Sequence, residues 1–94
     1  MGTRPRLRQK RIPEKLRQIR DALGLSQSQM LKRLGVETLI DLYRISEFET
    51  GKREPPLLVL LRYAEAAGIC TDVLIDDERD LPARLPGKHK HTRH

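Results

Sequence analysis

Ninety-four residues, 37% hydrophobic and 3% aromatic, predict a single domain whose core is built from Leu, Ile, Val and Ala. No apolar run approaches the ~18 residues that span a bilayer, the longest being residues 57–61, and a lone Cys70 excludes an internal disulfide and fits a reducing cytosol. A net charge of +6 and a pI of about 10.0 point to an anionic partner.

That charge is unevenly placed. Residues 1–20 carry eight Lys/Arg against one acid and residues 84–94 carry four against none, whereas 21–83 hold twelve acids against seven bases. The domain itself is acidic between two cationic ends, so a nucleic acid must meet it on a locally basic face. MGTRPRLRQKR, residues 1–11, has too few apolar side chains to fold and reads as a flexible basic arm. Arg4, Arg6, Arg8, Lys10 and Arg11 are its phosphate-neutralising cations. Met1-Gly2 begins like a myristoylation signal, but Arg6 stands where that signal has Ser or Thr. No secretory leader pattern follows.

Ile12, Leu16, Ile19 and Leu23 recur at steps of four, three and four, one face of a first helix. Pro13 suits its opening, where an N–H has no intrahelical partner, and Gly24 its left-handed stop. Ser26 with Gln29 three later is a capping box. It starts a second helix with Met30, Leu31 and Leu34 inward, ended by Gly35. In VETLIDLYRISEFETG, Val36 points inward and Asp41 caps a third helix. Leu42, Ile45 and Phe48 face the core, leaving Tyr43, Arg44, Ser46 and Glu47 outward, and Gly51 stops the helix. Pro55 or Pro56 opens a fourth helix, LLVLLRYAEAAG, apolar on most sides. Such a helix is buried by its own domain, by a twin subunit, or by both. CTDVLID is a short fifth helix capped by Cys70 or Thr71, with Val73 and Leu74 inward. DDERD is solvated, LPARLPG extended, and GKHKHTRH a disordered basic tail. The expectation is all-α: a compact bundle of about five short helices at 12–80, a basic arm at 1–11 and a Pro-containing basic tail at 81–94.

From Ile12 to Ile75 the chain resembles the Cro/phage-repressor type of helix-turn-helix domain (the Xre-like family). The residues that carry the likeness are IRDALGLSQSQM, LG-V, ISEFETGKREPP, LLRYAEAAGI and VLI, in order and near the family's spacing. The resemblance implies an ion pair between Arg20 and Glu49 tying the first helix to the third. It also implies that Gln27 approaches a DNA phosphate at a helix N-terminus and that Tyr43, Arg44, Ser46 and Glu47 lie in the major groove. Arg44 suits guanine and Glu47 a cytosine amino group; Lys52 and Arg53 follow the phosphate backbone. The chain departs from the family in one place. Gly35 to Ile45 is ten steps where the family usually has six, leaving residues 37–40 as an insertion inside the turn. Its Leu39 and Ile40 are open to three roles: capping the core, packing on a partner, or touching thymine methyls.

Other features carry less. His89, His91 and His94 have a chelating pattern, but beside Lys88, Lys90 and Arg93 they read as nucleic-acid contacts or as nothing. Asp76, Asp77, Glu78 and Asp80 read as a solvated helix end, and Cys70 as a small semi-buried residue in place of a capping serine. No catalytic set, phosphate loop or cofactor motif occurs, so neither an enzyme nor a cofactor or metal is expected. The sequence therefore predicts a cytoplasmic, nucleoid-associated DNA-binding regulator. It should be a repressor acting on double-stranded DNA as a homodimer, without a membrane role. The dimer surface is expected at the fourth helix's exposed end, the fifth helix or residues 73–85. The rival reading is an antitoxin-like module that keeps the helix-turn-helix and docks a second protein, such as a toxin, through LPARLPG and DDERD.

Overall fold

Described over residues 9–87 by a computed structural model, the chain turns the four-three apolar spacing of its first segment into α1 (Ile12–Leu23). Ile12, Leu16 and Ile19 are buried along one stripe, Leu23 half-buried at its end. Pro13 falls within the first helical turn, one residue after the helix begins. α2 (Gln27–Leu34) opens with the predicted capping box: the Gln29 N–H donates to Ser26 Oγ (3.1 Å) and the Ser26 N–H to Gln29 Oε1 (2.8 Å). α3 (Leu42–Thr50), α4 (Leu57–Ala67) and α5 (Thr71–Ile75) follow, and the described residues contain no strand. α1 packs against α3, α4 and α5, α2 against α3 and α4, and α4 against α5. Tyr63 of α4 lies fully buried among the aliphatics of this one core. Burial, with the Glu49 charge adding to it, pushes the phenol pKa well above its ordinary value.

Three expectations change, and one unforeseen buried residue is added to them. Leu42, expected inward, is 46% exposed. Ile40, two residues earlier, is the aliphatic of this stretch that packs against the core, and the first turn of α3 stands outside it. Val73, also expected inward, is only half-buried, while Leu74 is fully buried. Lys15, unremarked in the sequence, is fully buried. Its Nζ donates to the carbonyls of Val73 (2.9 Å) and Asp76 (2.7 Å), holding a cation against the C-terminal end of α5 where the peptide dipoles favour it. Burial still lowers its pKa, with the Arg11 charge adding to the effect.

The third change concerns the two ends. Lys10 and Arg11, assigned to a free arm, are tied down. Both backbone N–H groups donate to the Asp77 carboxylate (2.9 and 3.1 Å), and the Arg11 guanidinium donates to the Asp77 carbonyl and to Asp80 Oδ1 (both 2.7 Å). Those N–H donors hold the Asp77 carboxyl below its ordinary pKa. Residues 81–87, assigned to a tail, fold back on the domain. Leu85 is buried in the core, and Gly87 seats its backbone on the end of α4. A Cβ on Gly87 would sit 2.1 Å from the Ala66 carbonyl, and one on Gly68 would sit 2.5 Å from the Gly87 nitrogen, so both glycines are required by the close approach. Arg4, Arg6 and Arg8, and the three tail histidines, lie outside the described residues.

Candidate nucleic-acid interface

The base of the site is an ion pair behind α3. Arg20 Nε donates to Glu49 Oε2 at 2.7 Å and Nη2 to Glu49 Oε1 at 3.0 Å, a two-pronged arrangement of planar groups. The third nitrogen, Nη1, reaches the Leu25 carbonyl (3.0 Å) in the connection between α1 and α2. Gln27, at the start of α2, donates its side-chain amide to Glu49 Oε1 (3.3 Å). The pair predicted from resemblance is therefore present and larger than expected, because it joins α1, the α1–α2 turn, α2 and α3. The Glu49 side chain is 4% exposed and that of Arg20 16%, and the carboxylate raises the arginine pKa further. Ile45, one turn before Glu49, and Phe48, its immediate neighbour, are buried.

With Ile45, Phe48 and Glu49 held, the opposite side of α3 faces solvent. Tyr43 is exposed, and Arg44, Ser46 and Glu47 are half-buried. These side chains engage one another. Arg44 Nη1 donates to Glu47 Oε1 at 2.9 Å, Arg53 Nε donates to the same oxygen at 3.0 Å, and the Arg44 guanidinium lies over the Tyr43 ring, 5.0 Å from its centroid. The hydrogen bond from Arg44, and then that from Arg53, keeps the Glu47 carboxyl below its ordinary pKa. Sequence patterning assigned Arg44 and Glu47 to the outer face and Arg53 to the loop, but not their mutual pairing. Only the turn at Gly51 returns Arg53 to Glu47: the Lys52 and Arg53 N–H groups donate to the Glu47 carbonyl (3.0 and 3.4 Å).

Residues 36–41 make the turn between α2 and α3. The Leu39 and Ile40 N–H groups donate to the Val36 carbonyl (2.9 and 3.1 Å), so the inserted residues form one tight turn. Val36 is buried beneath it and Leu39 is 68% exposed at its tip. Asp41 stands at the cap position without a side-chain cap bond. On the other side of α3, Gln9 lines one cleft with Thr50 and Gly51 and a second with Arg53, Glu54 and Pro55. The N-terminal segment thus enters the described domain beside the α3–α4 loop that carries Lys52 and Arg53.

Two helices joined by a tight turn, the second anchored from behind by a buried ion pair and open in front, define a helix-turn-helix DNA-binding domain. A helix-turn-helix family model matches residues 16–74, more than half of the chain, and the protein belongs to this Xre-like, Cro-type family of DNA-binding regulators. The match spans Arg20, Glu49 and the inserted turn. Comparison with curated proteins and with solved structures found no match. Among the described residues no helix is long and apolar enough to cross a membrane, and no cluster of three or more His, Cys, Asp or Glu is placed to hold a metal ion.

Proposed function

We propose that this protein is a sequence-specific DNA-binding repressor that reads the major groove with α3 as a symmetric dimer. The observation that carries the proposal is the division of α3 into an anchored and an open side. Ile45, Phe48 and Glu49 fix the helix from behind, and residues 42, 43, 46 and 47 are presented together in front. Gln27 and the N–H groups at the start of α2 suit one phosphate, and Lys52 and Arg53 suit the next along the backbone. Arg4, Arg6 and Arg8 precede a residue, Gln9, that lies beside that same loop.

One small domain discriminates few base pairs, and two copies reading half-sites about 34 Å apart discriminate many. For the second copy we propose the face of α4 bearing Leu57, Leu58 and Leu61, all exposed and spaced to form one stripe. The antitoxin-like alternative draws less support. Of the segments it would offer a partner, DDERD holds Arg11 through Asp77 and Asp80, and LPARLPG is packed on the core through Leu85.

The test is selection of genomic fragments by purified full-length protein at physiological salt, followed by motif discovery. A palindromic motif with half-sites one turn apart is expected. Recovery of fragments with no shared motif would defeat the reading. Deleting residues 1–8 should weaken binding to all sequences and flatten the plot of log affinity against log salt by about 0.9 for each phosphate no longer neutralised.

A further inference from the structure

We infer that the front of this helix-turn-helix reads thymine, through an apolar edge formed by Leu42 and Tyr43 in the first turn of α3 and flanked by Leu39 at the tip of the inserted turn. The inference rests on the DNA-binding reading above and specifies its chemistry.

Three observations carry it. First, these side chains are 46%, 54% and 68% exposed, although residues of their kind are normally withdrawn from water. They lie within five residues of one another, at the end of the turn and the start of the helix that it leads into. Second, Leu42 and Tyr43 occupy the N-terminal end of α3 and Leu39 the turn just before it, the part that approaches base edges when such a helix enters the major groove. Third, the charged side chains of the next turn are engaged with one another. Glu47 accepts from Arg44 and Arg53, and Arg44 is laid over the Tyr43 ring, which leaves Asp41, without a side-chain cap bond, as the carboxylate beside Leu42.

In the major groove the base edges offer hydrogen-bond donors, acceptors and one apolar group, the 5-methyl of thymine. Leucine and the tyrosine ring complement that group alone. They penalise cytosine or guanine at the same place by covering an amino group or carbonyl oxygen without satisfying it. The cations around the edge, Arg44 on the same helix and Lys52 and Arg53 in the following loop, favour a polyanion over a neutral apolar partner.

The experiment compares duplexes of the selected motif in which single thymines are replaced by deoxyuridine, which keeps base pairing and removes only the methyl. Binding of full-length protein is measured at fixed salt. One or two positions in each half-site should weaken binding about fourfold each, the scale set by withdrawing one methyl from water. Leu42→Ala and Leu39→Ala change exposed residues, so both should melt like the parent, and Leu42→Ala should bind the thymine and uracil duplexes equally. Equal binding of all uracil duplexes by the parent protein overturns the inference while leaving DNA recognition intact. So does discrimination that persists undiminished in Leu42→Ala, Leu39→Ala and Tyr43→Ala alike, since the methyl reader would then lie elsewhere. Failure to enrich any motif overturns the DNA reading, and this inference with it.

Discussion

Glu47 and Glu49 sit two residues apart on one helix, each bonded to arginine, and they do opposite work. Glu49 is 4% exposed and receives Arg20 through two hydrogen bonds, whereas the Glu47 side chain is 27% exposed and shares one oxygen between Arg44 and Arg53. A two-residue step along a helix turns a side chain by roughly 200°, which puts one carboxylate against the core and the other toward solvent. Behind the helix, an uncompensated charge would be trapped away from water, so the pair must stay made. In front, water can replace either partner at small cost, and the arginines remain exchangeable with an outside anion. Similar chemistry becomes a structural bolt in one place and a reversible guard in the other, and burial makes the difference.

The contrast can be broken most severely at Glu49. Glu49→Ala leaves Arg20 partly buried without its carboxylate and should cost about 3–5 kcal/mol in chemical unfolding, with loss of DNA binding through loss of the fold. A cost below about 1 kcal/mol, the range of an exposed pair, would show that the bolt holds nothing. Lys15→Met, buried against the end of α5, strands the carbonyls of Val73 and Asp76 and should cost about 2 kcal/mol. Tyr63→Phe goes the other way. Tyr63 Oη is the one buried side-chain polar atom among the described residues without a hydrogen-bond partner, so removing it should stabilise by about 1 kcal/mol and leave DNA affinity unchanged.

On the open side, Glu47→Gln should barely move the melting temperature. Releasing Arg44 and Arg53 should instead raise affinity for any duplex and steepen its salt dependence by up to about 1.8, the slope of two neutralised phosphates. The smallest effect is on pH. The folded pKa of Glu47 lies below its unfolded value, so its contribution is present above the ordinary carboxylate range and disappears as pH falls through the depressed value. Melting curves recorded below about pH 4 should lose that part of their acid dependence in Glu47→Gln. Asp77, lowered by the N–H groups of Lys10 and Arg11, keeps its own share of the acid dependence.

Much of this architecture can be read along the chain because its causes are local. The Ser26–Gln29 capping box, the left-handed glycines after α1 to α4 and the four-three apolar spacing of α1 each act within a few residues, and all are present where expected. The front of the site was only partly legible. Tyr43, Arg44, Ser46 and Glu47 could be assigned outward from spacing, but Leu42 could not. At an end of a helix, periodicity says which face a residue belongs to and not whether the core extends that far. Lys15 left a faint trace, standing three residues after Ile12 on the apolar stripe, yet only a helix 58 residues away supplies the carbonyls that allow it to be buried.

Composition and local pattern were thus sufficient for helix number, helix limits, the acidic domain between basic ends, and the identity of the bolt once the family likeness was seen. Packing settled the rest. It seated Ile40 on the core and left Leu42 in solvent, brought Arg53 back to Glu47, fastened Arg11 to Asp77 and Asp80, and drew Leu85 into the core. Each of these depends on groups whose separation in space bears no fixed relation to their separation in sequence, and an exposed leucine differs from a buried one only by what the remainder of the chain places over it.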